Sequence, residues 1–258
     1  MATYKEEAVV LRAYDLGEAD RIISLITAGR GLRRAVAKGL KRTKSKFGGR
    51  LEPFTHIQAL LYEGRNLDTI TQVDVVRSHA PIRDDFAKYV YGAAMLEMVD
   101  KSLHENQNIP RLFDALCVSL RTLEGDISNP ALLLSAFQLK VCALIGYHPH
   151  LEECLHCGGA VGEGGIFMDL AGGGIACENC RRGLERTIPL TPRTLELIRK
   201  LLKTDMATIS KWDENSRTCR DILGISFLFS ESFLERPLKS RQVVFSHLQN
   251  AKKVDNNT

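Results

Sequence analysis

Hydrophobic and polar positions alternate in short runs over the first eighty residues. β-branched and apolar residues cluster at 8–14, 22–27, 32–37, 55–62 and 67–76. Turn formers separate them: Asp15-Leu16-Gly17, Gly29-Arg30-Gly31 and Glu63-Gly64-Arg65-Asn66. Short runs of this composition, punctuated by Gly, Asn and Asp, predict strands. Five such strands predict a small barrel, of OB type first and SH3-like second.

At Pro81 the period changes to that of a helix. Phe86, Val90, Ala93 and Glu97 recur on one face. Pro110 opens a second helix carrying Leu112, Leu116, Leu120 and Leu123, and Gly125 closes it. Ser128-Asn129-Pro130 predicts an N-cap with proline in the first turn, and Gly146 the stop of the helix that follows. Residues 147–189 are rich in Gly and Cys, and helices resume at Thr191-Pro192 and again from about residue 215 to 234. The polar segment after Gln249 predicts a disordered tail. The expected organisation is α+β: a barrel at 1–80, a helical domain at 81–248, a metal module inserted at 150–186 and a tail at 249–258.

Charge sharpens this picture. Residues 1–80 hold fourteen Lys and Arg against nine Asp and Glu, whereas the rest of the chain is nearly balanced, twenty-one against twenty-two. An excess confined to one module is the electrostatic footprint of a polyanion partner. From Arg30 to Arg50 nine basic residues occur without one acid. Arg33, Arg34, Lys38, Lys41, Arg42, Lys44, Lys46 and Arg50 are therefore the candidate nucleic-acid-binding residues, on a strand and on a loop expected to project from the barrel rim. Phe47, beside Lys46, is a candidate exposed aromatic for stacking on unpaired bases. Tyr14 and Phe54 read more readily as barrel core.

Four of the seven cysteines form two pairs, Cys154-Leu155-His156-Cys157 and Cys177-Glu178-Asn179-Cys180, with nineteen residues between them. Two residues between cysteines let one tight turn aim both sulfurs at a point, and a hairpin in the gap brings the second turn opposite the first. The pattern predicts a structural Zn²⁺ site with four thiolates and no open position for water or substrate. His156 is a weaker alternative ligand. Arg181 and Arg182 follow the second pair and are placed to offset thiolate charge. Cys117, Cys142 and Cys219 read as small buried apolar residues.

The N-terminus carries no apolar stretch behind a basic start, and the apolar run at 222–229 is too short to span a bilayer, so neither export nor membrane association is expected. No phosphate-binding loop, dinucleotide fingerprint, H-E-x-x-H or nucleophile elbow occurs. The chain is expected not to be an enzyme. A zinc protein that binds RNA or the ribosome, and a protein-interaction adaptor, are the competing classes.

In order along the chain these residues resemble the RecO family of bacterial recombination mediators. The likeness begins at Ala8-Val9-Val10-Leu11-Arg12 and Gly17-Glu18-Ala19-Asp20-Arg21 and continues through Gly31, Ala37-Lys38-Gly39, Ser45 and Leu51-Glu52-Pro53-Phe54. It resumes at Ala136-Phe137-Gln138-Leu139-Lys140, Gly146-Tyr147-His148-Pro149 and the four cysteines, and runs to Leu190-Thr191 and the helix beyond. The resemblance implies an N-terminal OB fold, a helical domain and a zinc module between its helices. It implies binding of single- and double-stranded DNA, annealing of complementary strands, and action with RecR to load RecA onto DNA coated by single-strand-binding protein. It also implies a cytoplasmic, nucleoid-associated protein. Some family members lack the cysteines, whereas all four stand here.

Overall fold

The structure is a computed structural model that describes residues 2–105, 107–162 and 164–255, with side chains to residue 250. It has α+β architecture and two compact units: residues 1–125 with 242–258, and residues 126–241. The last barrel strand ends at Arg77 and the first helix begins at Ala80, while compactness groups the first three helices with the barrel.

In the first unit, β1 (Thr3–Leu16), β2 (Asp20–Thr27), β3 (Gly31–Ala37), β4 (His56–Tyr62) and β5 (Asp68–Arg77) pair in the order β1-β2-β3-β5-β4, and β4 returns to β1. This is the five-stranded order expected of an OB-like fold. The ring closes thinly, because β3 and β5 pair in parallel at only Ala35–Asp68 and Val36–Thr69. The period of two gives each strand an inward row. Ala8, Val10, Ile23, Leu25, Ala35, Ala37, Ile57, Ala59, Leu61, Ile70 and Val73 fill the interior.

Val9 and Ile26 are register partners that alternate with this inward row, yet both are fully buried. The helices explain it. Among α1 (Ala80–Asp84), α2 (Phe86–Ser102) and α3 (Pro110–Glu124), the second and third pack on β1, and α2 also on β2, where Ser24 Oγ donates to Asp100 Oδ1 at 2.6 Å. Gly31 must be glycine. It sits at φ +67°, and a Cβ there would lie 1.9 Å from the Gln107 carbonyl oxygen.

In the second unit, α4 (Pro130–Leu144) is capped by Asn129, whose side chain accepts from Leu132 N–H. A three-stranded sheet follows, β6 (Ile166–Asp169), β7 (Gly174–Cys177) and β8 (Thr187–Leu190), in the order β7-β6-β8, with the one-turn helix α5 (Glu178–Arg181) after β7. The sheet takes in residues beyond 186, where the inserted module was expected to end. Then come α6 (Pro192–Lys203), α7 (Met206–Ile209) and α8 (Ser216–Leu234), with α4 against α8 as the main helix pair. Cys117, Cys142 and Cys219 are buried as expected.

The last helix, α9 (Ser240–Asp255), corrects one expectation. Residues 249–255 continue it instead of forming a disordered tail: buried Val244 and half-buried Phe245, His247 and Leu248 anchor the helix, and neither Gly nor Pro interrupts it. Residues 256–258 lie outside the described residues. No helix among the described residues is long and apolar enough to cross a membrane.

Candidate nucleic-acid interface and metal centre

The basic segment begins on β3 and continues through the long connection to β4, residues 38–55. This connection does not simply project. Its start is tied to the turn between β1 and β2, with Lys41 N–H donating to Ala19 O at 3.0 Å and Gly39 N–H to Asp20 Oδ1 at 2.7 Å. Its middle plugs the barrel. Phe47 is 2% exposed and belongs with Leu51 to the interior cluster. The expectation that Phe47 is an exposed stacking aromatic is therefore overturned: an apolar ring at the open end of a barrel gains more from desolvation than from waiting in solvent. Phe54 is also buried, with Tyr89 edge-on at 5.5 Å, as the core reading of it required. Tyr14 is half-buried, and the Arg12 guanidinium lies 5.0 Å from its ring centre.

The eight candidate cations separate into groups. Arg34, Lys38, Arg42 and Lys44 are exposed and carry no ion pair among the described residues. Lys41 Nζ lies 3.2 Å from Asp15 Oδ2. Hydrogen bonds from Lys41 and then Arg21 hold the Asp15 carboxyl below the usual carboxylate range. Lys46 Nζ donates to Thr71 O at 2.9 Å and lies 4.9 Å from the Phe47 ring centre, while Arg50 Nη1 donates to Val73 O at 3.3 Å. These two brace the connection against β5 and remain exposed. Arg33 differs: it lies in the same row of β3 as inward Ala35 and Ala37, is half-buried, and its charge acts on Tyr4. The strongest concentration of exposed cations is thus Lys38, Lys41, Arg42 and Lys44, beside the turn between β1 and β2.

The four paired cysteines meet in the second unit. Their sulfurs lie within 4.8 Å of one another, and Cys157 and Cys177 are 3.9 Å apart. Thiolates about 2.3 Å from one zinc ion would stand roughly 3.8 Å apart at the corners of a tetrahedron, so the spacing suits a metal ion. The knuckle geometry suits it as well. Gly158 N–H donates to Cys154 O at 2.9 Å, and Gly158 takes φ +67° to reverse the chain after Cys157. Cys177 N–H points at Cys154 Sγ at 3.4 Å, and Leu155 N–H docks the first knuckle on Ile175 O at 2.8 Å. Burial opposes ionisation of Cys154, yet backbone N–H groups of Cys177, Cys157 and His156 bring it down to about 6. Hydrogen bonds to the other three sulfurs push Cys180 up to about 12. Four sulfurs converging on one point are a donor set suited to a divalent cation.

The sequence model described as Recombination protein O N terminal matches residues 1–79, and that described as Recombination protein O C terminal matches residues 83–242. The chain belongs to the RecO family. Curated relatives named DNA repair protein RecO agree over nearly full length. The Thermobifida fusca protein is 39% identical over 246 residues, 95% of this chain and 99% of that one. The Frankia casuarinae protein is 40% identical over 248 residues, 93% and 97% of the two chains. That of Bifidobacterium longum is 35% identical over 248 residues, covering 95% and 100%.

In this RecO chain the side chains around the knuckles are positioned by neighbours other than the sulfurs. His156 Nε2 lies 3.0 Å from the buried Asp169 Oδ2, and the group of ligand atoms that converge among the described residues is the four sulfurs without His156. Arg181 stacks 4.4 Å from the Phe167 ring centre and pairs with Glu178 at 3.5 Å. The basic end of the barrel also contains two residues that the acid-free run could not reveal, Arg21 and Asp15. They are cross-strand partners in the register of β1 with β2. Folding the turn at residues 17–19 as a hairpin would have paired them.

Proposed function

We propose that this chain is a DNA-repair mediator that binds single- and double-stranded DNA, anneals complementary strands and, with RecR, helps load RecA onto DNA coated by single-strand-binding protein. The observation that carries this reading is the group of exposed cations Lys38, Arg42 and Lys44, which make no ion pair among the described residues, on a connection fixed to the end of an OB-like barrel, in a chain of the RecO family. The mechanism is electrostatic. Two strands repel because each carries a dense line of phosphates. Cations at the barrel end hold one strand and lower its charge, and a second strand then approaches and pairs. Arg34 on β3 extends the surface, while Lys46 and Arg50 keep the connection in place through carbonyls of β5. The protein makes and breaks no covalent bond; it acts in the cytoplasm, on the nucleoid.

Cys154, Cys157, Cys177 and Cys180 hold a structural Zn²⁺. With four thiolates the coordination sphere is closed, so the ion cross-links two knuckles and serves folding.

The reading is tested by annealing complementary oligonucleotides precoated with single-strand-binding protein, followed by fluorescence quenching at low and moderate salt. Salt-sensitive acceleration with strands recovered unaltered in mass is expected. Replacing Lys41, Arg42, Lys44 and Lys46 together by Glu should weaken DNA binding and flatten its salt dependence. Unchanged binding by that folded variant would reject the basic connection as the DNA surface.

A further inference from the structure

Two cations converge on one carboxylate at the basic end of the barrel. Arg21 Nε donates to Asp15 Oδ1 at 3.0 Å, and Lys41 Nζ to Asp15 Oδ2 at 3.2 Å. The side chains stay open to solvent, at 43% for Arg21, 30% for Lys41 and 60% for Asp15. Their placement does not depend on the ion pairs. Asp15 and Arg21 face each other through the β1–β2 register, and Lys41 is fixed by its own backbone bond to Ala19. Each cation takes a different oxygen of the same anion. Two non-bridging oxygens of a phosphodiester present the same charge and a similar bite.

We propose that Arg21 and Lys41 form a phosphate site on the DNA-binding surface, and that Asp15 occupies it as an internal anion while DNA is absent. The inference rests on the DNA-binding reading above and adds Arg21 and Asp15 to it. Exposed ion pairs hold weakly and are screened by salt, so an incoming phosphate displaces the carboxylate. The carboxylate cannot go far, because β1 holds its backbone beside the site. It then repels the bound phosphate, limits affinity and hastens release. That suits a protein that must let go of a strand once it has paired. Lys38, Arg42 and Lys44, without ion pairs of their own among the described residues, take the neighbouring phosphates.

Glu18 supplies the control. It is the other exposed acid near this turn, and it makes no ion pair among the described residues. Binding of a fluorescent oligothymidylate is measured by anisotropy across a salt series for wild type, D15N, E18Q, the double variant R21Q/K41Q and the triple D15N/R21Q/K41Q. Thermal unfolding verifies that each is folded, and D15S stands in should D15N fail to fold. The expected result is about two- to fivefold tighter binding for D15N than for E18Q, with a salt slope steeper by about one. The double variant should bind more weakly than wild type, and the triple no tighter than the double. If D15N binds like wild type or like E18Q while R21Q/K41Q weakens binding, the internal-anion inference falls and the DNA-binding reading stands. If R21Q/K41Q and the fourfold Glu variant of the connection both bind like wild type, both fall.

Discussion

Phe47 stands between Lys46 and Gly48, a local pattern that suits an aromatic held out for a base, yet its ring is a stopper for the barrel. The difference is a matter of distance along the chain. Residues that share its core cluster, such as Ile70 and Val73 on β5, lie more than twenty positions away, so a short window of sequence does not show the burial. Removing the ring should therefore cost folding before it costs binding. Phe47→Ala is expected to lose about 3–5 kcal/mol of stability, and Phe47→Leu, which leaves a smaller cavity, clearly less. Urea unfolding measures both. The Leu variant should bind oligonucleotide as wild type does, whereas a stacking role would make it weaker. Lys46 behaves similarly: its charge was legible, but its hydrogen bond to Thr71 O, which makes it a brace as well as a cation, was not.

At the level of elements, what could be read from the sequence was what is local. Two C-x-x-C turns, the five strands and the Asn129 and Thr191 caps each depend on a few adjacent residues, and each stands where the pattern put it. Strand β8 was not legible, because four residues with Pro189 among them carry no period. It is tolerated as an edge strand, whose outer side needs no donor. The two cysteines of the first knuckle differ in burial, and this difference is testable. Cys154 is 1% exposed and receives the Cys177 N–H, whereas Cys157 is exposed. Metal analysis of the purified chain should find one zinc ion per molecule. Cys154→Ser is expected to abolish tight binding and destabilise the module, and Cys157→Ser to weaken binding with a smaller loss of stability. Equal losses in both would show that ligand number alone, and not the burial of Cys154, sets the stability of the module.

The whole molecule places its two sites in different compact units, the cations in the first and the four cysteines in the second. Compact units open with their own free energies, so removing metal should act locally. Hydrogen exchange on the full chain separates the effects. A zinc chelator is expected to speed exchange in residues 150–190 and to leave β1–β5 as protected as before. A single-stranded oligonucleotide should do the reverse, slowing exchange in the connection after β3, around Lys38–Lys44, while the inner strands, already protected by their ladders, change little. The connection is the right reporter because its cations face solvent. Should oligonucleotide instead protect the knuckles and leave the connection unchanged, DNA would be held by the second unit, and the charge asymmetry of the first would need another anionic partner. Should chelation open the barrel, the zinc would be stabilising the whole chain rather than its own module. Protection confined to the connection, with chelation effects confined to the knuckles, is the result that assigns DNA binding to the barrel end and a folding role to the metal.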